Sequence, residues 1–236
     1  MALNALTHAD AAHSRGRFIT LEGPEGSGKT TAARHLADWL QQRREPVLLT
    51  GEPGGTPLGQ ELRRLLLHLR DLSLDLDPRA DALLFAAGRA QHVARRITPS
   101  LESGSWVVCA RYLDSSIAYQ GYGYGLDVDA LRQIQRFATH DLTPDLTILL
   151  DVPVEIGLTR KQREAWNRFE NEAGASFLDR VREGYRQLAS AEPDRFVVID
   201  GSRTVAAVDA DIQRLLLERY PALTRPMEPE TSRTPH

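Results

Sequence analysis

The chain has 236 residues, 42% of them hydrophobic and 26% charged, a composition that can bury the core of one large α/β domain. A net charge of −3 disfavours a general nucleic-acid or anionic-membrane partner. No apolar run approaches the roughly 18 residues of a membrane span, and the lone Cys109, which has no internal partner for a disulfide, fits the reducing cytoplasm in which we expect the protein to work.

In chain order, residues 1–16 read as a flexible extension, without an apolar stretch of signal-peptide length. Five short runs rich in β-branched residues then read as strands: RFITLE (17–22), PVLLT (46–50), WVVCA (106–110), LTILLD (146–151) and FVVID (196–200). They are continuously apolar rather than alternating, which means burial on both faces and hence a parallel sheet. Apolar residues at helical spacing predict helices over 29–44, 58–70, 78–102, 128–139, 154–163, 174–191 and 204–219. Strands alternating with helices give a doubly wound α/β sheet. No linker interrupts 17–220, so one domain is expected there. The proline-rich stretch 221–236 reads as a disordered tail. The stretch after the third strand, Arg111 to Gly123, reads as a loop.

Between the first strand and the first helix lies GPEGSGKT, Gly23 to Thr30, which is G-x-x-x-x-G-K-T in its required context. Glycines let backbone N–H groups turn toward phosphate oxygens, and the following helix adds its N-terminal dipole. Candidate ATP-binding residues are therefore Gly23, Pro24, Glu25, Gly26, Ser27, Gly28, Lys29, Thr30 and Thr31, with Thr30 as a ligand of Mg²⁺. Of the 29 basic residues, all but Lys29 and Lys161 are arginine. A retained lysine suggests a place that demands a compact ammonium, and Lys29 is the obvious one. N-K-x-D and D-x-x-G, which a GTPase needs, are absent, as is an acidic pair after an apolar strand. A small kinase remains, and it needs a second site for the phosphoryl acceptor. EPGGTPLGQELR (52–63), LLFAAGRAQH (83–92) and RYLDSSIAYQGYG (111–123) are the candidate walls. Phe85 and Arg89 are four apart and share a helix face, an arrangement able to stack a base and bond its edge.

FITLEGPEGSGKTT, EPGGTPLG and DSSIAYQGYG together resemble thymidylate kinase, in the bacterial branch with lid arginines, over about residues 17–220. The resemblance implies a P-loop nucleoside monophosphate kinase fold: a five-stranded parallel sheet flanked by helices, with a mobile lid at about 154–172. It implies transfer of the γ-phosphoryl group of ATP to dTMP, giving dTDP and ADP, with Mg²⁺ as cofactor and a homodimer as the working form. It assigns Phe85 to stacking on thymine, and Arg89, Ser116 and Gln120 to the base or its surroundings. Arg63 and Arg111 would hold the dTMP phosphate, and Tyr119 would crowd the sugar 2′ position. Glu25 would lie near the 3′-OH and the Mg²⁺ shell, and Glu52, Pro53 and Ser115 complete the acceptor site. Catalysis would use Lys29, Arg111 and, since positions 24 to 27 hold no arginine, Arg160, Arg163 and Arg168 of the lid. IDGSRT (199–204) would sit by adenine.

The chain departs from its relatives at Ala110, where they usually carry Asp, at Tyr124, where many have Arg, and at Gly88, where a polar or acidic residue is usual. An acid at 110 would help order Mg²⁺ waters and the neighbouring arginine. Two alternatives follow: a nucleotide-binding protein of this fold with impaired turnover, or a kinase for another deoxynucleoside monophosphate.

Overall fold

In the computed structural model, residues 15–67, 76–161 and 174–224 are described. The five expected strands all form, within one residue of their predicted ends: β1 Phe18–Glu22, β2 Val47–Gly51, β3 Trp106–Ala110, β4 Leu146–Asp151 and β5 Phe196–Asp200. They make one sheet in the order β2-β3-β1-β4-β5, every neighbouring pair parallel. All five residues of β1 are buried, as both-face coverage requires of a central strand. From β1 the chain runs first to one edge and later crosses to the other, so the segments after β1 and β3 flank a crevice at the carboxyl ends of the strands.

The helices are α1 Lys29–Gln42, α2 Pro57–Leu67, α3 Pro78–His92, α4 Thr98–Glu102, α5 Leu113–Ser116, α6 Val128–Thr139, α7 Val154–Lys161, α8 Gly174–Ala191 and α9 Val205–Arg219. Two of them start on aspartate caps. Asp77 accepts from Arg79 N at 2.8 Å, ahead of Pro78, and Asp127 accepts from Ala130 N at 2.8 Å. One hydrophobic cluster packs α1 and α9 on β1, β3 and β4, through Leu36, Leu40, Val108, Ile148 and Leu216. A second joins α8 to the segment after α5, and a third seats Val93, Ile97 and Leu101 beneath Phe18 and Val107.

Four expectations change. The single helix over 78–102 is divided by a wide π turn at Val93–Ile97. There the Thr98 N–H reaches back five residues to the Val93 carbonyl, and Pro99 has no N–H to continue the ordinary ladder. The stretch after β3 is not an open loop but α5 followed by a π helix, Ile117–Gly123. It is wound against α8: Gly123 lies so close to Phe177 that a Cβ would fall 2.7 Å from its ring, and Asp114 is buried against Arg195 at 2.7 Å. The packed domain also runs past 220, since Pro221–Thr224 forms a 3-10 turn that buries Leu223 in the first cluster. The extension expected over 1–16 is also shortened, because Gly16 is buried with its N–H donating to the Leu101 carbonyl at 2.8 Å. Residues 1–14 of it, 162–172 of the lid expected at 154–172 and the tail from 225 lie outside the described residues.

Candidate active site

One cavity of about 1180 Å³ opens along the carboxyl ends of β1, β2 and β3. Glu25 to Thr31 line it, as do Glu52, Pro53, Arg63, Phe85, Arg89, Arg111, Ser115, Ser116, Tyr119, Gln120 and Arg160. Gly23 and Pro24 stand behind this lining and contribute carbonyls, to Arg111 at 3.5 Å and to Lys29 at 2.6 Å.

The phosphate cradle is built by close backbone approach. Gly26 has φ 68° and packs on α7 so tightly that a Cβ would meet the Gly157 carbonyl at 2.0 Å; a Cβ on Gly157 would meet the Glu25 carbonyl at 2.3 Å. Helix α1 starts behind Gly28 with no side-chain cap and no acidic residue in its first turn, so its orphan N–H groups stay available to an anion. The Lys29 ammonium is buried and donates to Pro24 O and, at 3.0 Å, to Ser27 Oγ. Burial, with the Arg111 charge second, pulls it down to about 7.

Arg111 is the centre of the site. Its backbone is left-handed, with φ 68°. Nη2 donates to Glu25 Oε1 at 2.5 Å and to the Tyr119 hydroxyl at 3.2 Å, while Nη1 faces Ser115 Oγ at 3.3 Å and Tyr185 OH at 3.4 Å. The guanidinium is therefore oriented from both edges without residue 110. The expectation that Ala110 deprives Arg111 of its orienting partner is corrected: Glu25 supplies that carboxylate from the P-loop. Burial alone would raise the Glu25 carboxyl, but Arg111, Lys29 and Lys161 outweigh it and hold it at about 2.

The far end of the cavity is walled by α3 and the π helix. Phe85 lines it, partly buried. Arg89 is 1% exposed and gives Nε to Glu52 at 2.7 Å, Nη1 to Ser116 Oγ at 3.0 Å and to Gln135 Oε1, and Nη2 to the Tyr112 carbonyl at 3.0 Å. Among the described residues four of its five donors are thus engaged, leaving one Nη2–H. The other Glu52 oxygen takes His92 Nδ1 at 2.9 Å, and His92 Nε2 meets Thr50 Oγ1 at 2.7 Å. Gln120 Nε2 donates to Asp81 at 2.9 Å. Arg63 sits exposed on the rim and donates to Pro53 O at 3.1 Å.

At the donor end, Gly201, Arg203 and Thr204 of the expected adenine segment line the cavity with Val208. Arg160 donates to the Gly201 and Ser202 carbonyls, at 2.7 and 2.8 Å, so its guanidinium ties α7 to the turn after β5. Arg163 and Arg168 lie outside the described residues. Three residues of the site were not anticipated as such. Lys161 lines the cavity with its Nζ 4.0 Å from Glu25 Oε2; its rarity as one of two lysines was the available signal. Gly157 gives the P-loop its close approach to α7, and an isolated glycine in a helix is a weak signal. Glu22, fully buried at the end of β1, has no signal beyond being an acid on an otherwise apolar strand.

Among the described residues no group of three or more His, Cys, Asp or Glu is arranged to hold a metal. The side-chain oxygen donors of the P-loop on the cavity wall are the Glu25 carboxylate and the Ser27, Thr30 and Thr31 hydroxyls. A hard-oxygen set this sparse fits Mg²⁺, which keeps several waters and takes the rest of its shell from phosphates.

The thymidylate kinase family model matches residues 21–212. The thymidylate kinase of Carboxydothermus hydrogenoformans is 47% identical over 203 residues, covering 86% of this chain and 97% of that one. That of Desulfovibrio desulfuricans is 50% identical over 194 residues, 79% of this chain and 88% of the relative. Among solved structures, thymidylate kinase from Ehrlichia chaffeensis superposes with a TM-score of 0.69 at 34% identity, covering 86% of this chain and 99% of that one. With a family model spanning most of its length and curated relatives near 50% identity, the chain belongs to the thymidylate kinase family.

Proposed function

We propose that the protein transfers the γ-phosphoryl group of ATP to dTMP, giving dTDP and ADP, for thymidine nucleotide synthesis in the cytoplasm. The observation that carries this reading is a single cavity with a phosphate cradle at one end, an aromatic and amide-lined pocket at the other, and Arg111 between them. In it the ATP phosphates lie on Gly26 to Thr31, and Lys29 exchanges its carbonyl and hydroxyl partners for β- and γ-oxygens. Thymine stacks on Phe85, with the free Nη2–H of Arg89, Ser116 and Gln120 around its edge. Tyr119, 4% exposed and bonded to both Arg111 and Glu25, narrows the sugar site. Arg111 and Arg63 hold the acceptor phosphate so that its oxygen faces the γ-phosphorus in line. Catalysis is then chiefly positioning and charge neutralisation. Thr30 and Glu25 would hold Mg²⁺, which when bound would supply positive charge to the phosphate oxygens. Arg160, Arg163 and Arg168 carry the same task from the lid side; alanine at all three lowers kcat more than it weakens ATP binding.

A coupled ADP-release assay with dTMP, dUMP, dCMP and dGMP tests the reading. Turnover with dTMP several-fold above the others is expected; equal turnover on all four, or none, overturns it. A homodimer is part of the proposal. Leu83 on α3 and Phe137 on the adjoining α6 are 55% and 87% exposed, an apolar face suited to a second copy. Light scattering is expected to give about twice the 26.3 kDa chain mass. Among the described residues no helix is long and apolar enough to cross a membrane.

A further inference from the structure

Glu22 closes β1 directly beneath the site, fully buried and facing no part of the cavity. Its Oε1 accepts from Tyr112 N at 2.6 Å. Its Oε2 accepts from Ser115 Oγ at 2.6 Å and from Tyr185 OH at 3.0 Å. Those two hydroxyls are 2.8 Å apart, and both stand at Arg111 Nη1. We propose that Glu22 is a positioning residue for Arg111, and through it for the acceptor phosphate: its carboxylate takes the Ser115 proton, and Tyr185 gives its own to the carboxylate or to Ser115 Oγ, so that both oxygens turn lone pairs toward the guanidinium. The proposal rests on the assignment of Arg111 to the acceptor phosphate.

The argument is one of donor and acceptor inventory. An ionised carboxylate only accepts, a guanidinium only donates, and a hydroxyl rotates to do either. Hydroxyls held between the two have their direction set: they pass their protons toward Glu22, directly or through each other, and receive from Arg111. An amide in place of the carboxylate presents an NH₂ to the same hydroxyls, which then swing their protons against Nη1. Glu25 holds the opposite edge of Arg111 but faces the cavity and shares its charge with Lys161. Glu22 is sealed from solvent and outside the cavity lining.

The relay is also sensitive to pH. Burial first, and Asp114 second, push the Glu22 carboxyl up to about 7, against the hydrogen bond from Ser115, the charge of Arg111 and the Tyr112 N–H. The other titratable groups that sense it are Lys29 at the P-loop, Cys109 on β3 and Tyr185 on α8. Below neutral pH the acid gains a proton and loses its acceptor-only character.

The test is calorimetric binding of dTMP, and separately of Mg·ATP, to the full chain and its variants. Arg111→Ala is expected to lose dTMP affinity; if it does not, the assignment of the acceptor site fails and the relay with it. Given that loss, Glu22→Gln is expected to weaken dTMP binding about 10-fold, the low end for hydrogen bonds to a charged group. It should leave Mg·ATP within about twofold and add nothing in the Arg111→Ala background. Raising the pH from 6 to 8 should widen the ratio between native and Glu22→Gln affinities. Ser115→Ala/Tyr185→Phe keeps the carboxyl but removes both hydroxyls, and must give the same selective loss even if Glu22→Gln fails to fold. Native dTMP affinity in a folded Glu22→Gln, equal losses for dTMP and ATP, full additivity with Arg111→Ala, or a pH-independent ratio would each overturn the relay while leaving the acceptor-site reading in place.

Discussion

The two ends of the cavity handle charge in opposite ways. At the acceptor end, Glu52, Arg89 and His92 are buried and bonded to one another and to Ser116, Gln135 and the Tyr112 carbonyl, so nearly every donor is engaged before any ligand arrives. At the donor end Lys29 and Arg160 hold backbone carbonyls and a hydroxyl. A base is recognised by shape and a few fixed edges, which rewards a rigid wall. A polyphosphate brings its own charge, which rewards cations whose present partners are easily exchanged. Stability is therefore concentrated at one end and transition-state charge at the other.

The largest effect that separates them is at the acceptor wall. Glu52→Ala strands the Arg89 guanidinium without its carboxylate in the interior and should cost about 3–5 kcal/mol of stability. Chemical denaturation measures it; a loss below about 1 kcal/mol would mean the wall is not preorganised by this pair. Lys29→Arg should leave stability nearly intact yet lower kcat at least about a hundredfold. A planar guanidinium crowds the cradle, and a lost charge-stabilising donor carries that order of rate. Steady-state kinetics with native kcat would remove Lys29 from the chemistry.

A third test concerns protons. Burial, with Arg111 second, pulls Lys29 down to about 7, and phosphate oxygens should restore its ordinary value. Binding of Mg·ATP at pH 8 is thus expected to take up close to one proton per site, falling toward none at pH 6. Calorimetry in two buffers of different ionisation enthalpy counts them. The same shift has a sign for stability. Between about 7 and 10.5 the unfolded chain holds the Lys29 proton and the folded one does not, so this group's contribution rises with pH across that window. Glu22 acts oppositely. From 4.5 to about 7 the folded state keeps a proton that the unfolded state has released, and its contribution falls as pH rises. The smallest expected effect is that of Ala110→Asp on dTMP affinity. Arg111 is already clamped by Glu25, Tyr119, Ser115 and Tyr185, so the change should stay within about 0.5 kcal/mol. A tenfold gain in affinity would show that the clamp is looser than its distances imply.

Much of this was legible in the chain. The five strands announce themselves because burial on both faces leaves continuous apolar runs, and the P-loop because only glycines permit its backbone to turn inward. Phe85 and Arg89 could be paired from helical spacing, yet what Arg89 holds could not, since Glu52 lies 37 positions away and Gln135 46. The stretch from Ile117 to Gly123 looks like a loop because its glycines and tyrosines carry no helical period; α8 packed against it makes it helical. Ala110 reads as a missing partner only while the neighbours of Arg111 are unknown.

The sequence by itself determined the order of elements, the glycine-rich loop after β1 and the kind of residues lining each end of the cavity, because periodicity and glycine spacing act over a few residues. Tertiary structure decided the strand order β2-β3-β1-β4-β5, the Glu25–Arg111 pair across 86 positions and the Glu22–Tyr185 bond across 163. Buried charges take whatever partner the packed sheet brings within about 3 Å, and leaving one unpaired there costs more than any local preference can supply.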